Sequence, residues 1–219
     1  MNVKIKKLTD LSLLHKANSF TSGKESNMSL ARAYALGHSP IRTQLFWVEM
    51  TDIPLFCASQ FVRSNIGLQF YQKQSGPDRG GEDFNDVCRN IAFQVRTCWV
   101  TAHGFDKDRG IDTCSNEADK IDRLPERFDR YAPTDLAGVM NAEAIINMSR
   151  KRLCAKASME TRDIWELVVE ALKEVDPDLA NHCVKPCVHC GFCRERPKCG
   201  FTNTERYKEE RENYLRLFE

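Results

Sequence analysis

Half of the chain's 10 cysteines lie in one short segment near the end of the sequence. In this segment Cys187, Cys190 and Cys193 form two successive C-x2-C steps, and Cys199 follows them. Thiolates at this spacing can converge on one ion, because a tight turn between each pair folds the sulfurs inward. The spacing predicts a tetrahedral Zn²⁺ site with these four ligands, and Cys183 is an alternative ligand. An iron–sulfur cluster is the competing interpretation, although the usual C-x3-C-P continuation is absent.

Four thiolates from the protein would complete the coordination shell, so we expect this metal to support structure and not to catalyse a reaction. A disulfide framework is not expected, because the chain can bury a sizeable core and its first residues lack the apolar stretch of a secretory signal. We therefore expect a cytoplasmic protein. Residues 181–201 would form a cysteine-rich metal-binding segment, and residues 202–219 would form a charged helix.

Two further stretches carry more polar groups than a packed helix needs. In the first, residues 60–79, Arg63 follows a predicted helix, and Ser75 and Gly76 form a turn before Arg79. A guanidinium group offers forked donors and such a turn offers backbone N–H groups, and both suit a phosphate. The alternative interpretation is a solvated loop after a helix.

In the second stretch, Asn141, Ile145 and Arg152 are separated by four and seven residues, so in a helix they would share one face. Asn147 would lie about 100° away on the same helix. Asparagine is a poor helix former, so two of them here suggest contacts with a flat ligand laid along the helix. A solvated polar helix is the alternative, and composition does not choose between the two.

The segments that must position these groups show both strand and helix patterns. Alternating apolar residues near Val3, and the β-branched and aromatic density of residues 44–50, predict two strands. Asp52 is expected to start a helix with Pro54 in its first turn. A long helical region is expected from about Asp135 to Val175. The predicted fold class is α+β, with helix dominating.

The overall composition narrows the class of protein. The 219 residues carry 32 Lys+Arg against 31 Asp+Glu, a formal net charge of +1. Binding of nucleic acid by bulk electrostatics is therefore not expected. No stretch approaches the roughly 20 apolar residues that a membrane-spanning helix needs. These properties favour a soluble protein with one domain of ordinary size.

The order and spacing of the polar motifs resemble the flavin-dependent thymidylate synthases, also called thymidylate synthase complementing proteins. That family carries Q-x-x-R-H-R after a helix. Later it carries N-A-R, with a second Asn six residues after the first and an Arg eleven residues after it. Here Gln60 and Arg63 match the first motif, and Asn141, Asn147 and Arg152 match the second at the same spacings.

The resemblance covers about residues 1–176, and it has clear departures. The R-H-R motif reads Arg63-Ser64-Asn65, and the Arg of N-A-R is replaced by Glu143. Where the family has Glu in an early E-H-x-x-F segment, this chain has Arg42 or Thr43. The altered contacts favour a variant substrate over plain dUMP, such as dCMP, but the family activity remains the default expectation.

The resemblance implies an antiparallel sheet flanked by long helices over residues 1–180, and a homotetramer whose sites are built from several chains. It implies transfer of a one-carbon unit from methylenetetrahydrofolate to C5 of a pyrimidine deoxynucleotide, with FAD as cofactor and NADPH as co-substrate. By the same resemblance Arg152 would contact the pyrimidine edge and act in catalysis. The other implied substrate-binding residues are Gln60, Ser75, Gly76 and Arg79. The implied flavin-binding residues are Ser19, His38, Arg63, Asn141 and Asn147.

Two alternatives remain open beside this function. A family relative that has lost flavin would act as a nucleotide-binding, regulatory or structural oligomer. A zinc-stabilised helical interaction module with a nucleic-acid partner is the other alternative, and the near-neutral charge disfavours it. For the enzyme we expect neither a membrane nor a nucleic-acid partner.

Overall fold

The computed structural model describes residues 1–64, 66–73, 91, 93–95 and 132–219. Within this part of the chain, four antiparallel strands form one sheet. They are β1 (Asn2–Lys7), β2 (Leu45–Pro54), β3 (Leu68–Gln72) and β4 (Pro133–Asn141). Their spatial order is β1-β2-β4-β3, so the two longest strands pair at the centre. The prediction of an α+β fold with an antiparallel sheet and flanking helices is confirmed.

The described helices precede, connect and follow these strands. They are α1 (Leu11–Ser22), α2 (Leu30–Leu36), α3 (Leu55–Val62), α4 (Ala142–Arg152), α5 (Met159–Val175), α6 (Pro177–Asn181), α7 (Pro186–Cys190) and α8 (Glu205–Leu215). Short 3₁₀ turns lie at Ser39–Thr43, Phe201–Asn203 and Arg216–Phe218.

The long helical region expected from about Asp135 to Val175 is wrong in its first part. Residues 133–141 form β4, and burial alternates along the strand as it does in a half-buried sheet. Gly138 lets β3 approach closely, because a Cβ there would lie 2.1 Å from the carbonyl oxygen of Gln69. Pairing with a strand on each side decides the conformation here, and that pairing overrides the weak strand propensity of the local sequence.

The helix expected from Asp52 begins later than the sequence pattern indicates. β2 continues to Pro54, and α3 begins at the next residue. Asp52 lies in a bulge with φ of 56°, where the register against β4 shifts between Met50 and Ile53. Its backbone N–H donates to the carboxylate of Asp135 at 3.0 Å. The neighbouring strand therefore holds this segment extended, which a local helix signal does not reveal.

The helices around the polar residues are fixed by a buried tryptophan. The indole of Trp165 on α5 is fully buried, with its ring centroid 5.5 Å from that of Phe61 on α3. Its Nε1 donates to Ser149 Oγ at 2.9 Å, and that hydroxyl donates to the carbonyl of Ile145 at 2.8 Å. Truncating a buried aromatic of this kind costs about 3–5 kcal/mol. Trp165 thus holds α3, α4 and α5 in one arrangement.

Asp176, at the end of α5, joins three distant parts of the chain. Its buried carboxylate accepts hydrogen bonds from Lys7 Nζ at 2.6 Å and from Tyr34 Oη at 2.9 Å. It also caps α6 by accepting from the backbone N–H of Leu179 at 3.0 Å. A buried charge is tolerated only when it is paired and hydrogen-bonded, and these three donors meet that requirement.

Candidate functional site

A cleft of about 1160 Å³ opens between α4 and the cysteine-rich segment. Arg63 and Leu68 line it from the end of α3 and the start of β3, and Asn147 and Arg150 line it from α4. The opposite wall comes from the stretch 185–206. This volume is slightly larger than that of most sites for small molecules. The cleft can therefore accept a ligand as large as a nucleotide cofactor.

Positive charge predominates in the cleft. Among the described residues that line it, seven are Arg or Lys and three are Asp or Glu. The basic residues are Arg63, Arg150, Lys151, Arg162, Lys185, Arg194 and Arg206, and the acidic ones are Asp163, Glu166 and Glu195. A concave surface with this excess attracts anions, and guanidinium groups suit phosphate in particular.

Arg152 and Gln60, which are far apart in the sequence, meet beside Arg63. Nη1 of Arg152 donates to Oε1 of Gln60 at 3.2 Å, and Nη2 donates to the carbonyl oxygen of the same residue. The Arg152 guanidinium also lies 5.7 Å from the ring centroid of Phe61. Burial, and then the charge of Arg63, lower the pKa of Arg152. An anion bound between the two guanidinium groups would relieve their repulsion.

Two guanidinium nitrogens of α4 point to a missing acceptor. The Nε atoms of Arg150 and Arg152 are both buried, and neither has a hydrogen-bond partner in the part of the chain that the structure describes. A buried donor without a partner costs about 1–3 kcal/mol. Oxygen atoms of a bound ligand would satisfy these donors.

The two asparagines of this region have different positions. Asn147 is exposed in the wall of the cleft, with Oδ1 3.5 Å from Nη1 of Arg150. Asn141 precedes α4 and caps it, because its Oδ1 accepts from the backbone N–H of Ala144 at 2.8 Å. The expectation that Asn141 shares a helix face with Arg152 is therefore wrong. Capping accounts for an asparagine here without any ligand.

The remaining predicted flavin-binding residues lie away from this cleft. Ser19 is on α1, where its Oγ accepts from the backbone N–H of Ser26 at 3.0 Å. His38 is exposed, just before the first 3₁₀ turn. Neither belongs to the cleft lining found among the described residues. The predicted phosphate-binding residues Ser75, Gly76 and Arg79 lie outside the described residues.

The clustered cysteines form part of the same cleft. Its lining includes three of the four predicted metal ligands, Cys187, Cys193 and Cys199, together with Cys154. Cys190 has its Sγ directed to the carbonyl oxygen of Phe192, at 3.0 Å. Across the described ranges, no three Cys, His, Asp or Glu side chains stand close enough to hold a single metal ion. The sequence pattern missed Cys154 because it lies far from the C-x2-C steps.

Comparison with known proteins shows which proteins the chain resembles. No family model matches the chain. Two crystal structures of Helicobacter pylori thymidylate synthase X (ThyX) with FAD and dUMP resemble it with TM-scores of 0.55 and 0.56. Their sequence identities are 15% and 14%, and each match covers 84% of this chain and 100% of the other. Flavin-dependent thymidylate synthase from Nitratidesulfovibrio vulgaris is 24% identical over 175 residues, which are 75% of this chain and 71% of the relative.

The chain resembles the flavin-dependent thymidylate synthases in sequence and has the fold of the two ThyX structures. The resemblance predicted from the motif spacings is thereby confirmed, and the two ThyX structures show that the fold is shared. None of the helices in the described ranges is long and apolar enough to cross a lipid bilayer. Of the family-motif residues, Arg63 and Asn147 line the cleft, whereas Gln60 and Arg152 contact each other and are not part of its described lining.

Proposed function

We propose that this flavin-dependent thymidylate synthase relative transfers a one-carbon unit to C5 of a pyrimidine deoxynucleotide. Methylenetetrahydrofolate is the donor, FAD the cofactor and NADPH the reductant. The observation that supports this most strongly is the contact between Arg152 and Gln60 next to a cation-rich cleft. Two motifs that are separate in the sequence converge there, as a shared nucleotide site requires.

In this proposal Arg152 and Gln60 bind the nucleotide. The Arg152 guanidinium has fixed, forked donors, one of which is unsatisfied and buried. It donates to the edge of the pyrimidine and stabilises negative charge that develops on the ring. Gln60 holds this guanidinium in place and seats the base. Ser75, Gly76 and Arg79 are proposed to contact the nucleotide phosphate.

The residues in the cleft fit a phosphate-rich cofactor. The excess of basic side chains and the buried, unpartnered Nε of Arg150 suit the diphosphate of FAD. Arg63 and Asn147 are proposed to hold the flavin, and Asn141 to position α4 beneath it through its cap. Bound FAD would supply the hydride chemistry, while these side chains bind, orient and shield the reactants.

Ser19 and His38 are proposed to act in a different copy of the site. Both lie outside the cleft lining of their own chain, within the described residues. Exposed apolar side chains accompany them, namely Phe20, which is 93% exposed, and Leu36. A homotetramer in which α1 and the following turn reach a neighbouring subunit would bury these groups and complete its flavin site.

The test measures nucleotide binding by calorimetry on protein loaded with FAD. Wild type should bind dUMP, dCMP or both, and the preferred base identifies the substrate. Arg152→Ala should weaken binding by about 10- to 100-fold, because a charged hydrogen bond contributes about 1.5–3 kcal/mol. Arg152→Lys should restore only part of the lost affinity, because the lysine ammonium group lacks the forked donors of a guanidinium group.

Lys173→Ala, on the exposed surface of α5, is the matched control and should leave affinity unchanged. Unchanged affinity in Arg152→Ala would contradict the assignment of the site. A wild-type protein that neither takes up FAD nor oxidises NADPH would contradict the enzymatic function. Nucleotide binding without flavin would support the second candidate, a flavin-less nucleotide-binding oligomer. The replacement of R-H-R by Arg63-Ser64-Asn65 favours that candidate.

A further inference from the structure

A fully buried hydroxyl group lies next to Gln60. It belongs to Thr161, in the first turn of α5. Its Oγ1 lies 3.4 Å from Oε1 of Gln60 and also 3.4 Å from Sγ of Cys57. The same Oε1 accepts from Nη1 of Arg152 at 3.2 Å. Thr161 therefore contacts the glutamine that holds the Arg152 guanidinium in place.

The residue that caps α5 orients the Thr161 hydroxyl. Oγ of Ser158 accepts from the backbone N–H of Thr161 at 3.3 Å and donates its own proton to Oγ1 of Thr161 at 2.7 Å. Since this contact already uses the Ser158 proton, the Thr161 proton is directed to Gln60 or Cys57. A thiol sulfur is a weak acceptor, so the amide oxygen of Gln60 is the better partner.

Two donors at one end of the Gln60 amide fix its orientation. They are the N–H of Arg152 and the O–H of Thr161. An NH2 group at this end would face both donors, so Oε1 occupies it and Nε2 lies at the other end. In the described ranges Nε2 has no acceptor, and it is not one of the fully buried atoms that lack a partner. It is therefore open to a ligand.

We propose that Thr161 is a positioning residue, which holds the Gln60 amide with Nε2 directed at a hydrogen-bond acceptor on the bound base. This inference rests on the proposed function, in which Gln60 seats the base. It adds that Gln60 acts there as a donor, because protein groups already occupy its oxygen. A ring carbonyl oxygen of a pyrimidine is an acceptor of the required kind.

The length of the contact sets the size of the expected effect. Hydrogen bonds between two oxygen atoms are usually about 2.5–3.0 Å long, so a contact of 3.4 Å is weak. A neutral hydrogen bond changes an equilibrium by about 2- to 10-fold. We therefore expect Thr161 to alter nucleotide affinity modestly, through the direction of the amide.

The test is a double-mutant cycle on affinity, measured by calorimetry with whichever of dUMP and dCMP wild type binds more tightly. Thr161→Val removes the hydroxyl and keeps the branched shape, and it should weaken binding by about 2- to 10-fold. Thr161→Ser keeps the hydroxyl and should retain most of the affinity. In a Gln60→Ala background, Thr161→Val should change affinity no further, because the amide on which Thr161 acts is gone.

A second variant tests the donor at Nε2 directly. Gln60→Glu keeps an acceptor for Arg152 and Thr161 but replaces the NH2 group with a carboxylate oxygen. It should weaken nucleotide binding more than Gln60→Ala does, because an acceptor would then face the acceptor of the base.

Thr134→Val is the matched control. Thr134 is a buried threonine of β4, and its Oγ1 also donates over 3.4 Å, but to the backbone carbonyl oxygen of Lys73. This variant should leave nucleotide affinity unchanged. Urea unfolding of every variant measures stability separately from affinity.

The outcomes separate this inference from the proposed function. Unchanged affinity in Thr161→Val, an equal loss with and without the Gln60 side chain, or wild-type affinity in Gln60→Glu would overturn the inference and leave the nucleotide site in place. Unchanged affinity in Arg152→Ala would contradict the site itself. A wild-type protein that binds neither nucleotide would overturn both.

Discussion

Arg42 and Glu143 form an ion pair between the first 3₁₀ turn and the start of α4. Nε of Arg42 donates to one carboxylate oxygen of Glu143 at 2.6 Å, and Nη2 donates to the other at 3.2 Å. The hydrogen bond to Glu143, and then its charge, raise the pKa of Arg42. The flavin-dependent thymidylate synthases, which this chain resembles, have an arginine at the position of Glu143. They have a glutamate at or next to the position of Arg42. Both signs are reversed here, so the attraction between the two positions is kept.

This arrangement predicts a compensating pair of mutations. Glu143→Arg should destabilise the protein, because it places two guanidinium groups together and puts positive charge in the first turn of α4. Combining it with Arg42→Glu should recover part of the loss, since the pair re-forms with opposite polarity. Urea unfolding of wild type, the two single variants and the double variant gives the coupling free energy between the two side chains.

The recovery should shrink at high salt, because most of the Arg42 side chain is exposed. Losses that simply add in the double variant would show that the two side chains do not interact. The charge at position 143 would then not account for the reversed charge at position 42.

At the scale of elements, the turn before β3 and the start of α4 depend on each other. Gly67 has φ of 75°, and its carbonyl accepts from the backbone N–H of Asn141 at 2.8 Å. A Cβ at Gly67 would lie 2.5 Å from Nδ2 of Asn141. The Asn141 side chain that caps α4 therefore fits only against a glycine.

Gly67→Ala should destabilise the protein more than Gly37→Ala does. Both glycines have positive φ, so each alanine carries a backbone cost of about 1–2 kcal/mol. A Cβ at position 37 would meet open space. A Cβ at position 67 would clash with the Asn141 side chain, at an additional cost of about 1–3 kcal/mol. Urea unfolding measures the difference. Equal losses in the two variants would contradict the interlock between Gly67 and Asn141.

The sequence predicts the elements whose signals are local. The apolar spacing of Ile164, Val168 and Leu172 predicts α5, and all three are buried there. The local pattern predicts helix for β4, because the pairing with β2 and β3 that stabilises this strand leaves no signal in the local sequence. The local sequence likewise gives no sign that Cys154 shares a cleft with the cysteine segment, since only the fold brings it there. The assignment of Arg152 and Gln60 to one substrate site comes from spacing shared with a family, not from local physics, and their direct contact is a finding of the structure.

At the scale of the whole molecule, His182 connects α2 to α8 and the 3₁₀ turn that follows it. Its buried ring makes edge contacts with Tyr34, Tyr214 and Phe218, at 6.3, 6.1 and 5.9 Å between centroids. Burial, and then the charge of Arg150, lower its pKa from the usual 6.5, and His189 acts in the same direction. Asp178 opposes this shift.

The lowered pKa predicts loss of stability in mild acid. Below about pH 6.5 the unfolded chain binds a proton at His182 that the folded protein resists, so the free energy of unfolding falls as the pH falls. The contribution of one group is at most about 1.4 kcal/mol per pH unit. His182→Phe and His182→Gln should both reduce the slope between pH 7.5 and pH 5.5, measured by urea unfolding.

Phenylalanine keeps the aromatic contacts and glutamine does not, so the two variants should differ in absolute stability but share the reduced slope. His189, whose pKa is also lowered by burial, should leave some pH dependence in both. A slope equal to that of wild type in both variants would exclude His182 as its source.

The strand order has a consequence for the protein during its synthesis. β2 and β1 are both complete once residue 54 has left the ribosome, and they can pair once the segment that carries α1 and α2 has closed between them. β4, the other neighbour of β2, follows only at residues 133–141, and β3 reaches the sheet only through β4. Until then β2 carries an open edge of unpaired N–H and C=O groups. A nascent chain of this protein therefore passes through a stage open to mispairing with other strands, and chaperone demand should concentrate there.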